Sequence, residues 1–272
     1  GAVWLNYIVS KPIREVTKGV NQIRQFSFGD IKPVATTWIK EVAELAHSFN
    51  EMIGGLRFFE TYVPHKLVHR LIEQGTDAHV ESEERELTVM FTDIVGFTTM
   101  CEGMNASEVA DFINDHLTIL AEYVEAEGGT IDKYIGDALM AFWGAPEKME
   151  NSAIGACRAA KSMVTAIKED NKRRVAAGKK PIGLRIGIHT GPLVVGNIGT
   201  PSRINYTVVG DTVNTTQRLE SLGKEVDPEA EVIVLLSATT KSLLPDDFKM
   251  KPAGSFQVKG KEAEVEVFRL LE

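Results

Sequence analysis

The sequence predicts an α+β protein, a ferredoxin-like domain preceded by an α-helical coiled-coil segment. Three observations predict it. Residues 1–63 carry apolar residues at helical spacing. From Glu86 onward, short apolar runs alternate with amphipathic stretches in the order β-α-β-β-α-β, which is the ferredoxin-like plan. Between the two, residues 76–84 are polar and acidic and read as a boundary. Of the 272 residues, 43% are hydrophobic and 25% charged. That is ordinary usage for a folded chain of one or two domains, and it excludes collagen-like, mucin-like and wholly disordered readings.

Residues 2–9 (AVWLNYIV) are mostly apolar, but far short of the ~20 residues a membrane helix needs. Lys11, Arg14 and Lys18 follow at once. An apolar run leading into basic residues is how a membrane helix leaves the bilayer on its cytoplasmic side. The expectation is the cut end of such a helix, in a parent protein anchored at the cytoplasmic side of the cell membrane. Ile13, Val16, Val20 and Ile23 then mark one helix, and residues 27–37, with Gly29 and Pro33, break it. Val42, Leu45, Phe49, Met52, Leu56, Phe59 and Val63 keep a heptad seam. One helix cannot bury so narrow a stripe, so the seam predicts at least a dimer. Pro64 interrupts it, and Leu67, Val68, Leu71 and Ile72 restart a shorter helix ending near Gly75. Two amphipathic helices with such a connector, Pro12 opening the first and Glu41 and Phe49-Asn50-Glu51-Met52 in the second, resemble a HAMP domain. The resemblance assigns residues 1–57 to a HAMP domain with a membrane-exit remnant. It implies a parallel four-helix bundle from two chains, passing a signal through a helical linker at 58–82.

The second part begins with a buried strand at 87–91. Asn105-Ala-Ser-Glu108 is a capping box opening a helix. Val109, Phe112, Ile113, Leu117, Leu120 and Val124 hold one face of that helix, and Gly128-Gly129 stops it. Strands at 130–135 and 138–143 flank Gly136-Asp137, a hairpin turn signal. A helix at 152–176, a strand at 184–189 and a glycine-rich stretch follow. A strand at 206–209, a helix at 212–222, a buried strand at 232–236 and a terminal hairpin complete the pattern. Cys101 and Cys157 show no CxxC and read as reduced thiols, and the six histidines read as surface or satisfied core residues. The net charge of −8 argues against a nucleic-acid partner.

Asp93, in Phe91-Thr-Asp-Ile-Val-Gly-Phe-Thr98, closes a buried strand before a turn of exposed backbone. Such an acid suits a divalent cation and phosphate. Asp137 is a second acid, at the hairpin tip. The first and second strands of a ferredoxin-like unit are expected side by side, bringing the two acids together, where they would repel unless they share cations.

FTDIVGFT, KYIGDALMAFWG, LRIGIHTG and VGDTVNTTQRLES occur here in one order. Together they resemble the palm-like catalytic domain of class III nucleotidyl cyclases, over residues 83–272. The resemblance implies attack of a ribose 3′-oxygen on the α-phosphate, with two Mg²⁺ or Mn²⁺ ions per active site. Asp93, Asp137 and the Ile94 carbonyl match the metal ligands. Val95, Gly96, Phe97 and Thr98 match the phosphate loop, and Arg185 and Lys259 match phosphate contacts, with Lys261 an alternative to Lys259. Asn214 and Arg218, four apart on one helix face, match the transition-state pair. Lys133 and Thr207 match the base-recognising positions. Lys133 can donate to adenine N1 and the Thr207 hydroxyl can accept from the amine, whereas guanylyl members carry Glu and Cys there. The implied protein is an adenylyl cyclase acting on ATP as a homodimer, with each site built from both chains. A guanylyl cyclase and an inactive cyclase-like signalling module stand as alternatives.

Overall fold

A computed structural model describes residues 6–24, 29–60, 82–200, 202–257 and 264–271. The chain divides into two compact units, Gly1–His79 and Val80–Glu272.

In the first unit, a short π-helical turn (Asn6–Ser10) leads into α1 (Lys11–Arg24), and a connector reaches α2 (Lys40–Glu60). Within one chain the apolar seam of α2 divides. Val42, Ala46, Phe49 and Ile53 turn inward, while Leu45 and Met52 stay exposed. Phe49 is covered within its own chain. It packs with Ile31, Val34, Ala46 and Ile53, and with Val16, Ile23 and Leu56 at the margin. Gly19 of α1 makes this possible, since a Cβ there would strike the Phe49 ring. Asn50 clamps the connector, its Oδ1 accepting from Val34 N at 2.9 Å and its Nδ2 donating to Val34 O at 2.9 Å. Arg57 donates to the Ile31 carbonyl. The predicted stripe of α1 also splits, with Val16 and Ile23 packed inward and Ile13 and Val20 exposed. The Phe59 side chain, the restarted helix at 67–75 and the linker over 61–81 lie outside the described residues. Among the described residues no helix is long and apolar enough to cross a membrane.

The second unit runs β1 (Glu83–Ile94), α3 (Phe97–Met100), α4 (Ala106–Ala126), β2 (Thr130–Ile135), β3 (Ala138–Trp143) and α5 (Ser152–Ala176). It continues with β4 (Leu184–Thr200), β5 (Arg203–Val209), α6 (Asp211–Val226), β6 (Val232–Ser237), α7 (Ala238–Ser242), β7 (Met250–Gln257) and β8 (Glu264–Leu270). The sheet order is β2-β3-β1-β4-β6-β8-β7, with β5 paired to β4. β1 therefore lies between β4 and β3, not beside the second strand as expected, and pairs β3 in antiparallel register with Thr92 opposite Leu139. The β2–β3 turn still reaches the end of β1, because β3 starts beside it.

β4 extends well past the predicted strand at 184–189. Its glycine-rich half is sheet rather than loop, and pairs Val194–Thr200 with β5. The glycines there permit close crossing: a Cβ on Gly196 would lie 2.5 Å from Ser82 Cα, and one on Gly199 would strike the Arg203 carbonyl. Alternation along β1 sorts the two sheet faces. Met90 joins Leu139, Ala141, Trp143, Ile186 and Ile188 under α4 and α5. Leu87, Val89 and Phe91 join Met140, Phe142, Leu193, Val195 and Val208 on the opposite face. By the same alternation Asp93 belongs to that second face, against which α6 packs, with Gly187 giving room to the Thr216 and Glu220 backbone.

The capping box forms as predicted, Asn105 Oδ1 accepting from Ser107 N and Glu108 N at 3.0 Å. Cys101 and Cys157 are free thiols. His116 departs from expectation. It is 1% exposed, with neither ring nitrogen hydrogen-bonded. Burial, helped by the Arg174 guanidinium, pushes its pKa down to about 4. The folded protein thus holds His116 neutral while the unfolded chain protonates near its usual value. Stability from this group is full above the unfolded pKa and is lost as pH falls toward the folded one. Between pH 7 and pH 5 the loss attributable to His116 is about 2 kcal/mol. Urea unfolding at the two pH values checks this: His116→Leu should lose less stability than the parent by that amount, and an equal loss would refute it.

Candidate active site

β1 delivers Asp93 to the open end of the sheet, where its register partner on β4 is Arg185. Arg185 is 4% exposed, so it is not a strand-edge surface charge. Its Nη2 donates to Asp93 Oδ2 at 3.1 Å, and its Nε lies 3.8 Å from Glu220 Oε1 on α6. Gly136 (φ 65°) turns β2 into β3 and presents Asp137. Asp137 Oδ2 accepts from the backbone N–H of Ile94 at 3.2 Å. The two predicted acids thus meet. Burial first, then the neighbouring Asp137 charge, raises the pKa of Asp93, while Arg185 and Lys224 pull it down. Burial and the Asp93 charge likewise push Glu220 up to about 7.

Glu220 was not foreseen. The signal was available in principle, because an arginine inside an apolar strand demands a buried counter-charge. Nothing in the spacing says which acid supplies it. Val95 N donates to Gly183 O at 2.8 Å, Gly96 adopts φ 66°, and Phe97 stacks on Phe112 at 6.3 Å. These contacts fix the Val95–Gly96–Phe97–Thr98 turn beside the acids. Among the described residues no group of three or more His, Cys, Asp or Glu side chains is disposed to hold a metal ion. Two carboxylates forced together beside one arginine and a turn nevertheless fit a hard cation that keeps water and phosphate oxygens as its other ligands.

A second cluster forms where β2 faces β5. Lys133 Nζ donates to Thr207 Oγ1 at 3.3 Å. Thr207 Oγ1 donates to Asp132 Oδ2 at 2.7 Å, and Lys133 Nζ lies 3.4 Å from the same oxygen. The predicted base-recognition pair is therefore in contact, and a third residue joins it. Asp132 escaped sequence reasoning because consecutive strand residues point to opposite faces. The β2–β3 register shifts between Ile131 and Lys133, and this bulge turns both Asp132 and Lys133 toward Thr207.

Asn214 and Arg218 share α6. Asn214 is exposed, and Arg218 is half-buried, with its Nη1 buried and lacking a hydrogen-bond partner. Among the described residues no hydrogen bond or ion pair joins Lys133, Thr207, Asn214 or Arg218 to Asp93 or Asp137. Lys259 and its alternative Lys261 lie outside the described residues.

The family model described as adenylate and guanylate cyclase catalytic domain matches residues 80–272. Adenylate cyclase 1 of Rhizobium meliloti is 31% identical over 99% of this chain, which spans 40% of that relative's length. The crystal structure of the adenylyl cyclase CyaB from P. aeruginosa is 34% identical, with a TM-score of 0.65 over 71% of this chain and 97% of its own. The crystal structure of the guanylyl cyclase Cya2 is 32% identical, with a TM-score of 0.63 over 70% of this chain and 93% of its own.

Proposed function

The chain belongs to the adenylate and guanylate cyclase catalytic domain family, and from that premise we propose that it converts ATP to 3′,5′-cyclic AMP and pyrophosphate as a homodimer. The observation that carries the choice of ATP is the Lys133–Thr207 contact. A lysine donor complements adenine N1 and mismatches the N1–H of guanine, and the hydroxyl beside it can accept from the 6-amino group.

In this reading Asn214 orients the ribose, and Arg218 offers its unpartnered N–H to charge developing on the α-phosphate. Val95, Gly96, Phe97, Thr98 and Lys259 contact the triphosphate. Arg185 holds Asp93, and its remaining N–H groups are those a phosphate would meet. Asp93, Asp137 and the Ile94 carbonyl would hold two Mg²⁺ or Mn²⁺ ions, which when bound acidify the 3′-hydroxyl and neutralise the triphosphate. The lack of any bond between the acid pair and the base and transition-state residues supports a site completed by a second chain, duplicated by two-fold symmetry.

The apolar residues Ile13, Val20, Leu45 and Met52, exposed in a single chain, support a HAMP-type bundle with that second chain over residues 1–57. Residues 58–82 would transmit its rearrangement to a catalytic domain at 83–272. The parent protein would sit at the cytoplasmic side of the cell membrane.

Product analysis tests the proposal. Cyclic AMP from ATP, lost in Asp93→Asn, is the expected result. Cyclic GMP from GTP as the main product would overturn the base assignment, and no product from a verified dimer with either nucleotide would overturn the enzymatic one.

A further inference from the structure

A threonine hydroxyl is a poor selector by itself, because it can rotate to donate or to accept. It could satisfy a 6-amino purine or a 6-oxo purine equally well. In this chain the rotation is taken away. The Thr207 hydroxyl proton is committed to Asp132 Oδ2 at 2.7 Å. One of its two lone pairs accepts from Lys133 at 3.3 Å. A single lone pair is left for a ligand. Lys133 in turn directs one N–H at Thr207 and one at Asp132, 3.4 Å away, and keeps one for a ligand.

Resting on the cyclase reading of this site, we propose that Asp132 is a specificity-determining positioning residue. By holding the Thr207 proton it makes that hydroxyl an acceptor only, so the pocket takes a 6-amino purine and rejects a 6-oxo purine. The fold is built for this contact. The bulge between Ile131 and Lys133 turns Asp132 inward, and its side chain is 1% exposed. Burial pushes the carboxyl pKa up, while the Thr207 hydroxyl and the Lys133 ammonium pull it back. Those two partners are the groups that favour its accepting form.

The test is competition binding to the full chain with Mn²⁺. ATP, GTP and purine riboside 5′-triphosphate, which lacks the 6-amine, displace a fluorescent ATP analogue. The parent should favour ATP over the purine riboside compound by about tenfold, the scale of one hydrogen bond in a buried site. In Asp132→Asn the amide can donate to Thr207 and free its proton, so this preference should shrink to about twofold and GTP should gain on ATP. Asp132→Ala leaves the hydroxyl free to rotate, so it should keep the preference over the purine riboside compound while GTP gains on ATP, and this second readout serves if the Asn variant fails to fold. In a Thr207→Val background neither change should alter the ratio further, since there is no hydroxyl left to orient. A merely structural Asp132 would weaken ATP and GTP together and leave their ratio intact, and that result would overturn the proposal. A parent chain that binds none of the three nucleotides would overturn the cyclase reading itself, and this inference with it.

Discussion

Mixing Asp93→Asn and Arg218→Ala chains in equal amounts should restore cyclic AMP synthesis that neither chain should support alone. Each homodimer would carry the same defect at both of its proposed sites. Losing a metal-binding acid, or a donor aimed at transition-state charge, typically costs about 10²–10³ in rate. In the proposed shared-site dimer a heterodimer would differ: one of its composite sites would collect both defects, and the other neither. Random association makes half of the dimers mixed, each with one intact site of two, so activity returns to about a quarter of the parent value. The substitution at Asp93 is Asn rather than Ala for a structural reason. Arg185 is 4% exposed and donates to Asp93, and Ala would leave that buried cation with Glu220 alone. Asn keeps an acceptor in place while removing the charge. The assay is cyclic AMP formation against mixing ratio, with heterodimer content measured by differently tagged chains. Confirmed heterodimers without recovery would mean that each chain completes its own site.

Much of this architecture was legible because it is local. The helix at 152–176 has the bounds its periodicity predicts, and Asn105 and Glu108 cap α4 through a motif only four residues long. Asp93 and Asp137 were legible for the same reason, since each sits where a strand ends in a turn. What failed was non-local. The sequence pattern of β1 does not name its neighbour, so β2 was expected where β3 lies. Glycines at 191, 196 and 199 suggest a loop until Ser82 and Arg203 are seen lying against two of them. The spacing along α2 likewise does not say which of its apolar positions the connector and α1 cover within one chain, as they cover Phe49. Glu220 and Asp132 were hidden for one further reason. Each matters through a partner distant in the chain, Arg185 for one and Thr207 for the other. Asp132 needed in addition a bulge that no alternation rule anticipates.

Lys133→Glu should lower kcat/KM for ATP by about 10²–10³ without creating a guanylyl cyclase. The loss combines two effects. The donor to adenine N1 disappears, and a carboxylate arrives where an ammonium lay 3.4 Å from Asp132. Two carboxylates at that distance, one with its side chain 1% exposed, cannot both stay ionised at low cost. The new glutamate would share a proton with Asp132 or swing away, and the first response weakens, the second removes, the acceptor that guanine N1–H requires. Thr207 adds a second obstacle, for its hydroxyl proton points at Asp132 and its free lone pair would face the guanine 6-oxygen. Adding Thr207→Cys, to complete the Glu and Cys pair of guanylyl members, leaves the carboxylate clash untouched. GTP turnover should emerge when Asp132→Ala joins the other two changes, because only then can the glutamate settle as an ionised acceptor. Steady-state kcat/KM for both nucleotides across the single, double and triple variants measures each step. Efficient GTP turnover by Lys133→Glu alone would show that Asp132 exerts no hold on the pocket.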